Sequence, residues 1–268
     1  MNSEKKLRRL KSIISEMNSM LIAFSGGVDS TFLLKVASTV LPGEKIIAVT
    51  ADSETYPGKE LLSAKETARS FGVRHKIIKT FEMRDKRFTR NPVNRCYFCK
   101  KELFAKLAVL ARSLKLDFVA DASNASDKQD FRPGNKAKDE LKIRSPLQEA
   151  GISKKEIRSL SKKLGLLNWD KPAAACLASR VPYGTKITGA LLARIDEAEG
   201  VLGRFGFKQA RVRHYNGLCR IEVRKEDIPG LLRRRDLIVE RFKKLGYNYV
   251  TVDLEGYRTG SLNEVIRK

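Results

Sequence analysis

Apolar residues along the chain fall into short runs, separated by stretches in which they recur every three or four positions. The runs at 20–24, 45–50, 74–78 and 117–121 predict four strands. Between and before them, Leu7, Leu10, Ile13 and Ile14 share one helical face, as do Leu61, Leu62, Ala64, Ala68 and Phe71 ahead of a Gly72 stop, and then Leu103, Leu107 and Leu110. Strands alternating with helices imply right-handed crossovers and a parallel sheet. A last short strand is expected at 143–147. Ser153-x-x-Glu156 then opens a helix as a capping box, with Ile157, Leu160 and Leu164 inward and Gly165 at its end.

Beyond 184 the order reads α-β-β-α-β. Leu191, Leu192, Ile195, Ala198 and Leu202 line one helix face. The runs 210–215 and 219–223 pair across Asn216-Gly217, a strong hairpin signal. Residues 228–245 read as helix and 248–252 as strand. The expected organisation is therefore an α/β domain over 1–170 with a Rossmann-like parallel sheet, a Pro- and Gly-punctuated junction loop over 171–184 that carries Cys176, and a smaller α+β domain over 185–268.

Length and composition agree with two modest globular domains: 268 residues, 42% hydrophobic and 32% charged. No apolar run reaches the roughly 18 residues of a membrane span, and the charged first residues lack an apolar signal region behind them, so the expectation is a cytoplasmic protein without a membrane partner. Fifty-four Lys and Arg against 31 Asp and Glu give a formal charge of +23, a field that attracts anions. Nucleic acid, a polyphosphate or polycarboxylate small molecule, and a merely solvated, ion-pair-rich surface all accord with that charge. Four cysteines without a secretion signal argue against a disulfide framework. Two of them, Cys96-x-x-Cys99, point to metal or redox chemistry.

The first strand-to-helix turn carries the candidate chemistry, Ser25-Gly26-Gly27-Val28-Asp29-Ser30. Gly26 and Gly27 let the backbone approach a ligand closely, the helix N-terminus attracts an anion, Ser30 adds a hydroxyl and Asp29 is placed to cap the helix. The lysine that a P-loop sets before its Ser/Thr is missing, so the turn suits a pyrophosphate group more than a transferring γ-phosphoryl. Asp52 and Ser53 end the second strand, at the sheet edge where ligands bind. Asp121, Ser123, Asn124, Asp127 and Asp130 through Gly134 occupy the same rim, with oxygens suited to magnesium and nucleotide. Cys96 and Cys99 call for further ligands. Cys176, Cys219, His75 and His214 are available for zinc, whereas a [4Fe-4S] cluster with one open iron needs only a third thiolate, Cys176. Cys219 and His75 sit in expected core strands. Strand alternation places Arg211 and Arg213 on one face, as an anion clamp or as a solvated, charged strand edge.

The hexapeptide resembles the PP-loop of the ATP pyrophosphatase superfamily. Together with Asn94-Arg95-Cys96-Tyr97-Phe98-Cys99-Lys100, Pro172-Ala173-Ala174-Ala175-Cys176-Leu177-Ala178-Ser179-Arg180, Arg211-Val212-Arg213-His214 and Asp253-Leu254-Glu255-Gly256-Tyr257-Arg258, it makes nearly the whole chain resemble the LarE family. The resemblance implies an ATP-dependent sulfur transferase of nickel-pincer cofactor synthesis, acting on pyridinium-3,5-biscarboxylic acid mononucleotide. It implies ATP with Mg2+ at Ser25, Gly26, Gly27, Asp29, Ser30, Asp52 and Ser53. The substrate phosphate falls to Arg211 and Arg213, with Ser179, Arg180, Glu222 and Arg258 as further substrate residues. Cys96, Cys99 and Cys176 are implied as catalytic ligands of a [4Fe-4S] cluster that carries sulfide from an external donor. The C-terminal domain is implied to bind substrate and build a homo-oligomer, with no nucleic acid. Two alternatives share these motifs: a sacrificial route in which Cys176 gives up its own sulfur, and a tRNA thiolase with the same cluster.

Overall fold

In the computed structural model, which describes residues 2–129, 133–172 and 175–266, β1 (Met20–Ala23), β2 (Ile46–Asp52), β3 (Arg74–Lys79) and β4 (Phe118–Ala120) form a sheet in the order β3-β2-β1-β4. Every pairing in it is parallel. The central strands are buried on both sides because helices cover both faces. Met20, Ile22, Ile46 and Ala48 meet residues of α1 (Ser3–Glu16), α2 (Val28–Ser38), α3 (Gly58–Ser70) and α8 (Lys154–Lys163), whereas Leu21, Ile47 and Val49 meet Phe104, Leu107 and Ala111 of α5 (Arg95–Ser113). Single turns and a short helix complete the unit: α4 (Lys86–Thr89), α6 (Gly134–Glu140) and α7 (Pro146–Glu149).

Three features depart from the pattern-based expectation. The stretch from Thr80 to Arg95, polar and without periodicity in the sequence and so expected as a loop closing in the two thiols, is largely short turns, but α5 starts at Arg95, so Cys96 and Cys99 lie inside a helix. The strand expected at 143–147 reduces to one bridge between Arg144 and Ala120, after which Pro146, with no N–H to extend the ladder, opens α7. Residues 228–245 divide at Arg234 into α10 (Ile228–Arg233) and α11 (Arg235–Lys244). The capping box at Ser153 and Glu156 is present as expected.

The polypeptide groups into two units, Met1–Phe88 with Asn94–Ala174, and Thr89–Val93 with Ala175–Lys268. The inclusion of Thr89–Val93 in the second unit has a local cause. Asn91, fully buried at φ +57°, donates its amide to the carbonyls of Pro182 and Thr185 at 2.7 and 3.0 Å, and its own carbonyl accepts from Gly184. The rest of the unit is α9 (Gly189–Arg204) and a sheet ordered β5-β6-β7, with β5 (Ala210–Tyr215) antiparallel to β6 (Leu218–Val223) and β7 (Tyr249–Val252) parallel to β6. The hairpin turns at Asn216, φ +54°, and a Cβ on Gly217 would lie 2.9 Å from the Asn248 side chain. Ala210, Val212, Cys219, Ile221 and Val223 face a helix-covered core, which leaves Arg211, Arg213, Arg220 and Glu222 on the opposite face. No helix of the described residues is long and apolar enough to cross a membrane.

Candidate active site

In the first unit, the loop from Ser25 to Ser30 is built to present amide hydrogens. The carbonyls leading into it and at its start are engaged from outside: Thr50 Oγ1 donates to Phe24 O at 2.8 Å, the Tyr56 hydroxyl donates to Ser25 O, and Asn168 Nδ2 donates to Gly26 O at 3.2 Å. Gly27 O accepts from Ser30 Oγ and from the Thr31 N–H. With the oxygens occupied and the first N–H groups of α2 lacking helical acceptors, the loop suits an anion. Gly26 is required twice over, by φ +65° and by the 3.1 Å separation between its would-be Cβ and Ala64. Burial raises the Tyr56 hydroxyl well above the usual phenol value, with Glu60 adding to the effect and the bond to Ser25 opposing it. Because Thr50 gives its hydrogen to Phe24 O, His75 Nε2 is the donor in its 2.8 Å bond to Thr50 Oγ1, and burial, with Lys65 nearby, lowers the His75 pKa.

Asp29 does not cap α2. The cap position is Gly27, without a side-chain bond, and the Asp29 carboxylate instead takes Lys154 Nζ at 2.7 Å and Asn124 Nδ2 at 3.4 Å. Asp52 carries the last carboxylate of β2, without a hydrogen-bond or ion-pair partner among the described residues. The Ser53 hydroxyl is committed to Glu82, a buried carboxylate that also accepts from Thr55 Oγ1 at 2.8 Å. On the rim, Asp121 is filled by Ser123 and Ser145, with Lys138 at 3.6 Å, while 130–132 lie outside the described residues. Lys154, Tyr56, Asn168 and Glu82 were not read as site residues from sequence. Only Lys154 had a local signal, as a cation in the first turn of a capped helix.

In the second unit the polar sheet face is an ion-pair network. Arg213 forms a two-pronged pair with Glu222 (2.9 and 2.8 Å) and donates to Ser179 O at 2.7 Å and Ser261 Oγ at 2.8 Å. Glu222 is fully buried and also accepts from Arg220 at 3.1 Å. Arg180, 1% exposed, pairs in the same way with Glu199 at 2.8 and 2.9 Å. Its remaining nitrogen donates to the carbonyls of Ala175 and Cys176 and to Ser179 Oγ, at 2.8 to 3.1 Å. Arg211, 9% exposed, stacks 5.5 Å from the Tyr257 ring; burial, followed by repulsion from Arg180, lowers its pKa. Arg258 is tied by Asp253, Glu255 and Glu264, which raise its pKa through hydrogen bonding to Glu264 first. Glu199 had no sequence signal, since it acts through a residue distant in the chain, and Ser261, the last residue of the segment that begins at Asp253 and resembles the family, was given no role.

All four cysteines are outside disulfides. Cys96, exposed, and Cys99 stand one turn apart at the start of α5, and cations crowd their aromatic neighbours: Arg87 over Phe98, Lys101 and Lys136 over Tyr97. Cys176 belongs to the other unit and precedes the short turn Leu177–Arg180. Cys219 is a core residue whose thiol burial pushes up to about 12, and His214 packs against Tyr247. Among the described residues, no group of three or more His, Cys, Asp and Glu is disposed to hold a metal ion.

The parallel sheet and its first-turn loop define a PP-loop, ATP-using enzyme, and the asparagine synthase family model matches residues 17–87. Over 263 residues the chain is 35% identical to the pyridinium-3,5-bisthiocarboxylic acid mononucleotide synthase of Lactiplantibacillus plantarum, covering 98% of this chain and 95% of that protein. It is 46% identical over 267 residues, 99% of both chains, to an uncharacterised protein of Synechocystis sp., and 31% identical over 258 residues to one of Methanocaldococcus jannaschii, covering 95% of this chain and 98% of that one. The chain belongs to the LarE family of ATP-dependent sulfurtransferases.

Proposed function

We propose that this enzyme adenylates the carboxylates of pyridinium-3,5-biscarboxylic acid mononucleotide and replaces an oxygen of each with sulfur, forming AMP and pyrophosphate. The observation that carries the reading is the likeness, along nearly the whole chain, to a synthase whose name states the bisthiocarboxylate product. Adenylation is required because a carboxylate oxygen is a poor leaving group. A substrate carboxylate oxygen attacks the α-phosphorus of ATP, and the bond to the β-phosphate breaks with its electron pair leaving on pyrophosphate. A sulfur nucleophile then adds to the acyl carbon and AMP departs.

The residues divide that work. The amide-rich loop at Ser25, Gly26, Gly27 and Ser30 receives the phosphates, and the carboxylates of Asp29 and Asp52 would supply oxygens to the magnesium that accompanies ATP. Ser53, fixed by Glu82, lies at the same edge. Arg211 receives the substrate phosphate, within the positive field of Arg180 and Arg213, whose forks Glu199 and Glu222 hold rigid. Ser179 and Arg258 complete that region by orienting Arg213 and the 253–264 segment.

Cys96 and Cys99 fit a cluster's donor chemistry, two soft thiolates on one helical turn outside any disulfide, with Cys176 of the second unit as third ligand. When bound, the [4Fe-4S] group would supply an iron open to sulfide. One observation favours a second route. Arg180 donates to the carbonyls of Ala175 and Cys176, the peptides on either side of the Cys176 Cα, and so holds the backbone that carries this thiol. That thiolate would form a thioester with release of AMP. Loss of the Cα proton to solvent and cleavage of Cβ–S would then leave dehydroalanine in the chain and a thiocarboxylate on the product.

The reading is tested by pyrophosphate release from ATP under anaerobic conditions. Release that depends on the pyridinium mononucleotide and is unaffected by bulk tRNA is expected. Release that responds to tRNA and ignores the mononucleotide would transfer the enzyme to the tRNA thiolases.

A further inference from the structure

The PP-loop has no lysine of its own, yet an ammonium stands at its mouth. Lys154 comes from 125 residues further along the chain and sits 2.7 Å from the Asp29 carboxylate, the loop's only charged side chain. We infer that Lys154 is the missing phosphate lysine: on arrival of ATP with its divalent cation it leaves Asp29 and binds the β-phosphate, which departs as pyrophosphate.

Helix physics shows that the position is not a neutral one. Lys154 is the first residue of α8, where the macrodipole disfavours a cation. The turn that carries it is nevertheless held from several directions. Ser153 and Glu156 form a reciprocal capping box, Lys6 pairs with Glu156 at 2.8 Å, and the Lys154 N–H donates to Ser126 Oγ at 3.1 Å. One turn along, Arg158 donates to the carbonyls of Trp169 and Lys171, while Asn168 from that segment reaches Gly26 O and Thr31 Oγ1. Thus α8 and 165–171 together brace the loop, with the lysine aimed at its acidic residue. The pair is partly exposed, the two side chains keeping 33% and 24% of their surface, so the ammonium can exchange partners without crossing a packed core.

The exchange follows from charge. Asp29 serves Lys154 while the loop holds no anion; a divalent cation competes for that carboxylate and the phosphates compete for the ammonium. When the bond from the α-phosphorus to the bridging oxygen breaks, the electron pair goes to pyrophosphate. Lys154 stays protonated and offsets the charge that appears there, which a lysine inside the loop does in P-loop enzymes.

The inference rests on α–β cleavage, part of the proposed reaction, but its test uses neither the pyridinium substrate nor sulfur. Calorimetric binding of MgATP, pyrophosphate and AMP to the full chain is compared for wild type and Lys154→Met, with melting curves to confirm folding and Lys154→Gln in reserve if the Met variant does not fold. MgATP and pyrophosphate are expected to weaken by roughly tenfold or more, and AMP, which has no β-phosphate, to bind as before. Asp29→Asn, which frees the ammonium, is expected to tighten pyrophosphate binding without metal, and the double variant to lose that gain. Equal weakening of AMP and ATP, or no weakening of either, would overturn the inference and leave Lys154 as a brace for Asp29. Selective weakening in an enzyme that fails to thiolate the pyridinium mononucleotide would uphold it while removing the proposed substrate.

Discussion

The two polar regions of this molecule prepare for anions in opposite ways. The PP-loop relies on backbone: the carbonyls leading into it and along it are occupied by Thr50, Tyr56, Asn168 and Ser30, and its single charged side chain shares a partly exposed ion pair with Lys154. The sheet face of the second unit relies on side chains, with Arg180, Arg211, Arg213 and Glu222 all nine-tenths buried or more. A backbone site needs only the right turn and few charges. A buried guanidinium site must first neutralise itself, which is why Glu199 and Glu222 take two of the three arginine forks. What the three arginines present together is a positive field rather than a pair of open clamps.

The largest expected effect lies in the thiols. Anaerobically purified wild-type protein is expected to carry about four irons per chain, and Cys96→Ala or Cys176→Ala to carry almost none, by iron and acid-labile sulfide analysis. Zinc in place of iron would rule out the cluster, whereas a wild-type chain whose mass falls by one hydrogen sulfide at Cys176 after a single turnover would establish the sacrificial route instead. Next comes Glu222→Ala, which leaves Arg213 buried beside Ser179 and Ser261 without its counter-charge. A loss of about 3–5 kcal/mol in denaturant unfolding is expected, against a much smaller change for a PP-loop side chain such as Ser25→Ala. Equal losses would erase the contrast between the two regions.

Gly26→Ala sharpens the comparison from the other side. A methyl group at φ +65°, 3.1 Å from Ala64, should cost about 1–2 kcal/mol of stability and weaken ATP binding, because the loop's amides lose their direction. The smallest effect is on acid stability. Although burial opposes it, bonds from Lys6 and Ser153 hold the Glu156 carboxyl down to about 2, from 4.5. A depressed folded-state pKa contributes stability that is complete above the unfolded value and is lost as pH falls toward the folded one. Wild type should therefore lose stability between about pH 4.5 and 2 more steeply than Glu156→Gln, by melting temperature against pH.

How much of this was legible in sequence follows the same division. The turn from Ser25 to Ser30, the capping box at Ser153 and the Asn216–Gly217 hairpin are local, so spacing alone carried them, and the alternation of strands with helices carried the parallel sense of the sheet though not its strand order. Asp29 was read as a cap because nothing nearby shows that a lysine 125 residues away would claim it. Arg211 and Arg213 were placed on one face by alternation, but alternation cannot say that Glu222 would occupy Arg213, or that Glu199 on a distant helix would occupy Arg180. The short strand at 143–147 failed for a local reason that its own Pro146 already contained.

The most direct measurement is the mass of the pyridinium mononucleotide after incubation with this enzyme, MgATP and sulfide under anaerobic conditions. The account predicts replacement of one oxygen by sulfur at each carboxylate, with one AMP formed per replacement. AMP formed while the mononucleotide keeps its mass, or thiolated nucleosides recovered from tRNA in its place, would contradict it.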